Sequence, residues 1–117
     1  MKNNFDKMVV WQKSFEFTIL IYKITSKFPN EEKYSLIDQL RRSANSIPAN
    51  IAEGRGRNGD KELVRFLYIA RGSLEESKCH LMIAKELHYI EESDYLTISN
   101  LSEEIGCLLD GLIRSKS

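Results

Sequence analysis

The chain has 117 residues, of which 42% are hydrophobic, enough for one core, and this predicts a single domain over residues 1–117. The longest apolar stretches, residues 8–11 and 19–22, are far shorter than the roughly 20 residues of a membrane-spanning helix. No secretion signal precedes the first apolar stretch, and Cys79 and Cys107 lack the spacing of a disulfide framework or a zinc site. We therefore expect a cytoplasmic protein without a membrane partner.

The charge is balanced overall but unevenly distributed. Seventeen basic and seventeen acidic residues give a net charge of zero. Residues 41–65 contain six basic and three acidic residues, a net charge of +3, whereas residues 66–117 contain five and nine, a net charge of −4. Such a local basic segment supports a local anionic partner, and it does not support bulk attraction to nucleic acid.

Apolar residues recur every three or four positions along the whole chain, which predicts an all-α protein. The first predicted helix covers residues 6–26, and its apolar residues lie on almost every side. A helix of this kind is buried on more than one face. One face is expected to enter the core, and another to contact a neighbouring subunit.

The second predicted helix has an apolar seam at intervals of three and four, with small residues at two of its positions, Ala44 and Gly54: Ile37, Leu40, Ala44, Ile47, Ile51 and Gly54. Pro48 interrupts this pattern, since it has no N–H to donate and its ring clashes with the carbonyl of Ala44. We predict a kink over residues 44–48. The alternative is a break, with Pro48 in the first turn of a new helix.

The third helix is predicted to begin near Asp60 and to run for about 28 residues. Its heptad seam is Leu63, Leu67, Ala70, Leu74, Ser77, Leu81, Ala84 and His88. The fourth is predicted over residues 93–114, with a seam of Ile98, Leu101, Ile105, Leu108 and Leu112. Four helices with short connections and seams of this period predict an antiparallel, up-down four-helix bundle.

Residues 54–59, GRGRNG, match the G-x-G-x-x-G spacing of dinucleotide-binding folds. That motif requires a strand before the glycines, and a helical seam precedes them here. We therefore interpret Gly54 as a close-packing residue, Asn58 and Gly59 as a turn, and Gly59 or Asp60 as the cap of the next helix.

Six basic residues are candidates for contact with nucleic acid: Arg41, Arg42, Arg55, Arg57, Lys61 and Arg65. Asp38 lies one turn before Arg42 and Glu53 one turn before Arg57, so part of this charge is open to ordinary pairing along a helix. Arg55 has no acid three or four positions away. Arg41 and Arg55 fall on one stripe of the second helix, and an arginine fork suits phosphate oxygens. A solvated surface or salt bridges between subunits are the alternatives.

No metal or catalytic site is predicted. A di-iron bundle needs Glu-x-x-His pairs, which this chain lacks, although Glu76 lies one turn before His80. Its serines and cysteines have no base at motif spacing. We expect a protein without enzymatic activity, metal or cofactor.

Three segments resemble a known family: WQKSFEF (11–17), QLRRSANSIPANIAEGRGR (39–57) and KELVRFLYIARGSLEES (61–77). They are similar to the four-helix-bundle proteins encoded in intervening sequences of bacterial 23S rRNA genes, also labelled S23 ribosomal proteins. The resemblance covers residues 6–115. It implies a ring-like homopentamer without established enzymatic activity, and a relation to the pentameric accessory variability protein of diversity-generating retroelements, which contacts RNA.

Two functions are consistent with these features. The first is a non-enzymatic oligomeric accessory protein that binds nucleic acid, structured RNA in particular, through the six basic residues. The second is a protein-protein scaffold without a nucleic-acid ligand, in which the arginines form salt bridges between subunits.

Overall fold

The computed structural model describes residues 4–117 and contains four long α-helices. They are α1 (Val9–Thr25), α2 (Leu36–Gly56), α3 (Asp60–Glu86) and α4 (Glu92–Lys116). Single turns of 3-10 helix, Phe5–Lys7 and Asn30–Glu32, precede α1 and α2. The part of the chain from residue 4 onward has no strand, which confirms the predicted all-α class, and none of its helices has the length and hydrophobicity to cross a membrane.

The helices pack in chain order around one core. Helix α2 contacts α1 and α3, and α4 contacts α3 and α1, so each helix packs against its two neighbours. Contacts between side chains give an antiparallel register. Ser43 pairs with Ser77 and Ser46 with Ser73 between α2 and α3, while Lys13 pairs with Glu104 between α1 and α4. These features confirm the predicted four-helix bundle.

The central helices bury the seams that the sequence predicts. In α2 the seam residues are buried except Ile37, which is half-buried. In α3 they are buried as far as Ala84, but His88 lies beyond the end of the helix, is exposed and has a positive φ of 62°. The predicted seam was therefore one residue too long, because α3 ends at Glu86.

The predicted seam of α4 is correct only in its first half. Ile98, Leu101 and Ile105 are buried. In the second half, Leu109 and Ile113 enter the core, and the predicted Leu108 and Leu112 are half-buried against it. The core-facing positions therefore advance by one residue, as expected when an α-helix of 3.6 residues per turn is followed over several turns.

Helix α2 continues through Pro48 without interruption from Leu36 to Gly56. The alternative prediction, a new helix beginning at Pro48, is therefore wrong. The predicted kink over residues 44–48 stays a prediction. Helix α1 is shorter than predicted: it begins at Val9, because residues 5–7 form a separate 3-10 turn.

Candidate nucleic-acid interface

The glycines of residues 54–59 serve packing and chain reversal. Gly54 is buried, and a Cβ placed on it would lie 2.8 Å from the Cβ of Phe66 and 3.3 Å from the carbonyl oxygen of Leu63. Helix α2 ends at Gly56, and Gly59, with a φ of 95°, is the residue before the first turn of α3. A positive φ of this kind favours glycine. The glycines therefore join two helices, and the strand required by a dinucleotide site is not there.

Three of the six candidate arginines and lysines pair with a carboxylate on their own helix. The Arg42 Nε lies 2.9 Å from Asp38, and the Arg57 Nη2 lies 2.7 Å from Glu53. The Arg65 Nη2 lies 3.1 Å from Glu62. The first two pairs confirm the local pairing that the sequence left open. All three are exposed, and surface pairs of this kind contribute little to stability.

Arg57 and Arg65 also both contact one aromatic ring, that of Phe66. Their guanidinium carbons lie 5.0 and 4.4 Å from the ring centre of Phe66. The hydrogen bond from Arg65 lowers the pKa of Glu62 from its ordinary value, and the same bond raises the pKa of Arg65. No local pattern indicates the role of Phe66, because the contact between Arg57 and its ring forms only when the end of α2 packs against α3.

Arg55 and Lys61 lie on either side of the α2–α3 turn. Both are exposed, and neither forms an ion pair with any residue from 4 to 117. With Arg57 and Arg65 they make four basic residues at one end of the bundle, which we call the hairpin cations. Asp60 lies among them at the start of α3. With Glu53, Asp60 and Glu62 nearby, this end carries four positive and three negative charges. Two of its cations, Arg55 and Lys61, form no ion pair within residues 4–117, and the other two are held by exchangeable surface pairs.

Arg41 has a different environment from the other five. It is half-buried against α1, where its Nε donates to the hydroxyl of Thr25 at 2.9 Å and its Nη2 donates to the carbonyl of Tyr22 at 3.3 Å. Its guanidinium carbon lies 4.6 Å from the ring centre of Tyr22. These neutral groups fix the guanidinium in place without neutralising it. The structure thus separates Arg41 from Arg55: the first is anchored on α1, and the second is free at the end of α2.

Helix α1 carries an exposed apolar surface next to Arg41, formed by Trp11, Phe15, Ile19 and Tyr22, which we call the α1 stripe. Trp11 is half-buried, and Phe15, Ile19 and Tyr22 are 49%, 41% and 38% exposed. The rings of Trp11 and Phe15 stack, with centres 5.1 Å apart. The opposite side of α1 enters the core through Phe17 and Ile21. This confirms that α1 is apolar on a side that the core does not cover.

The described residues contain no group of side chains placed to hold a metal ion. The Nε2 of His80 lies 3.3 Å from Glu76, and its buried Nδ1 has no hydrogen-bond partner within residues 4–117. No three histidine, cysteine or acidic side chains in this range come together as metal ligands. Cys79 and Cys107 are both exposed, and they form no disulfide with each other.

Comparisons with known proteins agree with the fold. A family model described as 23S rRNA-intervening sequence protein matches residues 6–111. A crystal structure of a protein with unknown function from the S23 ribosomal protein family of Bacteroides thetaiotaomicron VPI-5482 superposes with a TM-score of 0.83 at 33% identity, covering 90% of this chain and 98% of that one. Curated proteins give no sequence match. The chain belongs to the family of 23S rRNA-intervening sequence proteins.

Proposed function

We propose that this protein is a non-enzymatic, oligomeric accessory protein that binds structured RNA through exposed basic residues. The observation that carries the proposal is the cluster of hairpin cations at one end of the bundle. Arg55 and Lys61 have no carboxylate partner within residues 4–117. Lysine and arginine side chains grouped in this way supply the sequence-independent phosphate contacts that dominate affinity for nucleic acid.

The paired arginines can join this surface when a phosphate approaches. Arg57 and Arg65 are 47% and 55% exposed in their side chains, and their partners Glu53 and Glu62 are also partly exposed. A surface ion pair is worth about 0 to 1 kcal/mol, so a phosphate can replace a carboxylate at small cost. Arg42, whose side chain is 77% exposed beside Asp38, can exchange its carboxylate for a phosphate in the same way, although it lies nearer the start of α2.

Oligomerisation would compensate for the small number of cations in each protomer. The resemblance to the 23S rRNA-intervening sequence proteins implies a ring of five. In a cyclic assembly each protomer presents the same end of its bundle in an equivalent position. A weak site that is repeated in this way gains avidity when one RNA reaches several copies, which agrees with a chain whose net charge is zero.

A protein-protein scaffold is the second candidate function. It is favoured by the α1 stripe, since aromatic side chains beside an arginine are typical of protein interfaces. In that function the oligomer would dock a protein, and the arginines would pair across subunit boundaries.

The test is a titration of a fluorescently labelled, hairpin-containing RNA with the oligomer at several salt concentrations. The variant Arg55→Gln with Lys61→Gln removes two hairpin cations, and we expect its affinity to fall and its salt dependence to become shallower. The matched control is Lys23→Gln with Lys27→Gln, which removes two exposed charges at the opposite end of the bundle. Assembly of every variant is checked by light scattering.

Two outcomes are decisive. Affinity that declines steeply with salt, and that is reduced in the hairpin variant but not in the control, supports phosphate contact by the hairpin cations. The RNA function is wrong if the wild-type oligomer shows no binding at low salt, and the scaffold function then takes its place.

A further inference from the structure

The outer side of α2 carries a shallow hollow close to the hairpin cations, which we call the α2 hollow. It has a volume of about 340 Å³ and is lined by Phe5, Ala49, Ala52, Glu53, Gly56 and Arg57. Ligand pockets in proteins have volumes of about 300 to 1,000 Å³. The α2 hollow therefore suits a small ligand or a single group of a larger one.

The floor of the α2 hollow is apolar and has short side chains. Ala49, Ala52 and Gly56 follow at helical steps of three and four, so they share one face of the helix, and a planar ring can approach the helix closely there. Phe5 borders the hollow, and its ring is held by packing against Trp11 with ring centres 5.1 Å apart. An apolar surface with an aromatic border is the kind of environment that receives an unstacked nucleobase.

Glu53 and Arg57 give the α2 hollow a polar edge. Arg57 donates from Nη2 and Nε to the Oε2 of Glu53, at 2.7 and 3.0 Å. Neither the Oε1 of Glu53 nor the Nη1 of Arg57 has a partner within residues 4–117. The guanidinium carbon of Arg57 also lies 5.0 Å from the ring centre of Phe66, which holds it in place. A free acceptor and a free donor thus stand beside each other, as the hydrogen-bonding edge of a base requires.

We propose that the α2 hollow binds one unpaired base of the RNA, guanine in preference to the other bases, while the hairpin cations contact the neighbouring phosphates. The inference rests on the proposed RNA function and adds a base-specific contact to it. Arg57 links the two surfaces, because it is a hairpin cation and also lines the hollow. A nucleotide at this place would therefore have its base and its phosphate beside adjoining groups of the protein.

The carboxylate of Glu53 selects guanine. A carboxylate has acceptor oxygens and no hydrogen to donate. On the edge used for base pairing, guanine alone has two neighbouring donors, the N1–H and the N2 amino group, and its O6 beside them can accept from Arg57. The Oε1 of Glu53 is free for these donors, and Oε2 becomes available when one hydrogen bond of the exposed Arg57 pair is exchanged. Adenine and cytosine would turn a ring-nitrogen acceptor towards the carboxylate, and uracil has only one N–H there.

The same carboxylate disfavours other occupants. Glu53 repels a phosphate from the α2 hollow, which leaves phosphate contact to the cations outside it, Arg55 and Lys61 among them. A subunit that covered the hollow would bury Glu53 and Arg57, whose side chains are 49% and 47% exposed. Removing such a pair from water costs more than the pair returns unless its remaining hydrogen bonds are satisfied.

The experiment compares stem-loop RNAs that differ at one base. Each has the same stem and a loop of uridines with guanine, inosine or adenine at its centre, and binding to the oligomer is measured by fluorescence anisotropy at several salt concentrations. The guanine loop should bind about 10-fold more tightly than the adenine loop, a typical discrimination for a good pair of hydrogen bonds to a base edge. Inosine lacks the N2 amino group, so its loop should lie between them. Because the three RNAs carry the same phosphates, the preference should change little with salt.

The variant Glu53→Gln separates base recognition from charge. It removes a negative charge close to the phosphates, so it should bind the adenine loop more tightly than the wild type does. It should also lose most of the preference for guanine, because an amide has one acceptor oxygen and brings N–H groups of its own. Glu62→Gln is the matched control: Glu62 pairs with another hairpin cation, Arg65, and does not line the hollow. This control should bind all three loops more tightly and keep the preference.

The variant Ala49→Leu fills the α2 hollow. Ala49 is exposed, so α2 should accept the larger side chain. We expect the preference for guanine to disappear, while affinity for the adenine loop and assembly, measured by light scattering, stay as in the wild type. Gln39→Leu places the same side chain at an exposed position of α2 outside the hollow, and it should change none of these properties.

The possible failures can be told apart. Equal affinity of the wild type for the guanine and adenine loops overturns the base site and leaves the phosphate contacts of the proposed function intact. A full preference for guanine in Glu53→Gln also overturns it. Loss of assembly in Ala49→Leu but not in Gln39→Leu would identify a second subunit as the occupant of the hollow, and the inference would then be wrong. If the wild type binds none of the loops at low salt, the RNA function fails and the base site fails with it.

Discussion

The hydroxyl oxygen of Thr18 on α1 lies 3.0 Å from the carbonyl oxygen of Ala44 on α2. Ala44 is four residues before Pro48, whose ring nitrogen has no hydrogen, so this carbonyl lacks the N–H donor that it would ordinarily have four residues further on. Both groups are buried, and a buried carbonyl without a hydrogen bond is costly. The Thr18 hydroxyl also lies 2.9 Å from the carbonyl of Ser14 on its own helix, so its single hydrogen is shared between the two carbonyls. Thr18 thus offers from α1 a shared donor to the carbonyl that Pro48 leaves without its usual partner.

The substitution Thr18→Val should lower the free energy of unfolding by about 1 to 3 kcal/mol, because it keeps the shape of the side chain and leaves the Ala44 carbonyl unpaired. Thermal or urea unfolding measures the change. In a Pro48→Ala background residue 48 regains its N–H, so Thr18→Val should cost less there. Thr97→Val is the control, since within residues 4–117 the Thr97 hydroxyl donates only to the Ser93 carbonyl, on an exposed part of α4. Equal costs of Thr18→Val in both backgrounds would contradict this account.

The close approach of α2 and α3 depends on Gly54. Its substitution by alanine would place a methyl group 2.8 Å from the Cβ of Phe66 and 3.2 Å from the side chain of Leu63. Since neither the Phe66 Cβ nor the nearby backbone of Leu63 can move easily, we expect Gly54→Ala to destabilise the protein by about 1 to 3 kcal/mol.

Gly72→Ala provides a matched control on the neighbouring helix. A Cβ at Gly72 would meet nothing within 4 Å, and alanine favours a helix over glycine by about 1 kcal/mol. We expect this variant to be as stable as the wild type or more stable. The two melting temperatures should therefore shift in opposite directions, and a similar loss in both variants would show that Gly54 has no special packing role.

Local patterns predicted the helices because their causes lie within a few residues. The apolar seam of α3 and the pairing of Arg42 with Asp38 both follow from residues three or four positions apart. The partners of Arg41, by contrast, are Thr25 and Tyr22, which lie 16 and 19 residues earlier. No local pattern indicates such a contact, since it depends on how α1 packs against α2.

Which apolar residues of α4 enter the core also could not be predicted from local patterns. Leu108 and Leu109 are adjacent and equally apolar, and so are Leu112 and Ile113. The sequence therefore contains two possible seams, and only the positions of α1 and α3 decide which of them enters the core. The buried hydroxyl groups were missed for a related reason: Ser43 and Ser77 are polar residues that become satisfied only by each other and by carbonyls of their own helices.

The pair of Ser43 and Ser77 should show coupled effects on stability. Their hydroxyl oxygens lie 2.8 Å apart in the core. Each also has a carbonyl on its own helix within reach, Leu40 at 3.2 Å and Ser73 at 3.0 Å. Ser43→Ala or Ser77→Ala alone should therefore cost about 0.5 to 1.5 kcal/mol, and the double variant should cost less than the sum of the two. Additive unfolding energies in urea would argue against a direct interaction.

Acid should weaken the ion pairs that Glu75 forms with Arg71 and Lys78 on α3. Arg71 bonds to Glu75 and, at 2.9 Å, to Asp110 on α4, while Lys78 bridges Glu75 and Glu103. The hydrogen bond from Arg71 holds the pKa of Glu75 below its ordinary value of 4.5. A group with a lowered pKa stabilises the folded state above its ordinary pKa, and this contribution is lost as the pH falls through the folded-state pKa.

The free energy of unfolding, measured by urea denaturation between pH 6 and pH 3, should therefore decrease more steeply in the wild type than in Glu75→Gln. Because Glu75 is half exposed, its share is expected to stay below about 1 kcal/mol. Glu91→Gln is the control: Glu91 is exposed and forms no ion pair within residues 4–117, so its removal should leave the acid profile as in the wild type. If Glu75→Gln and the wild type lose stability in parallel below pH 4.5, the ionised form of Glu75 does not stabilise the folded protein.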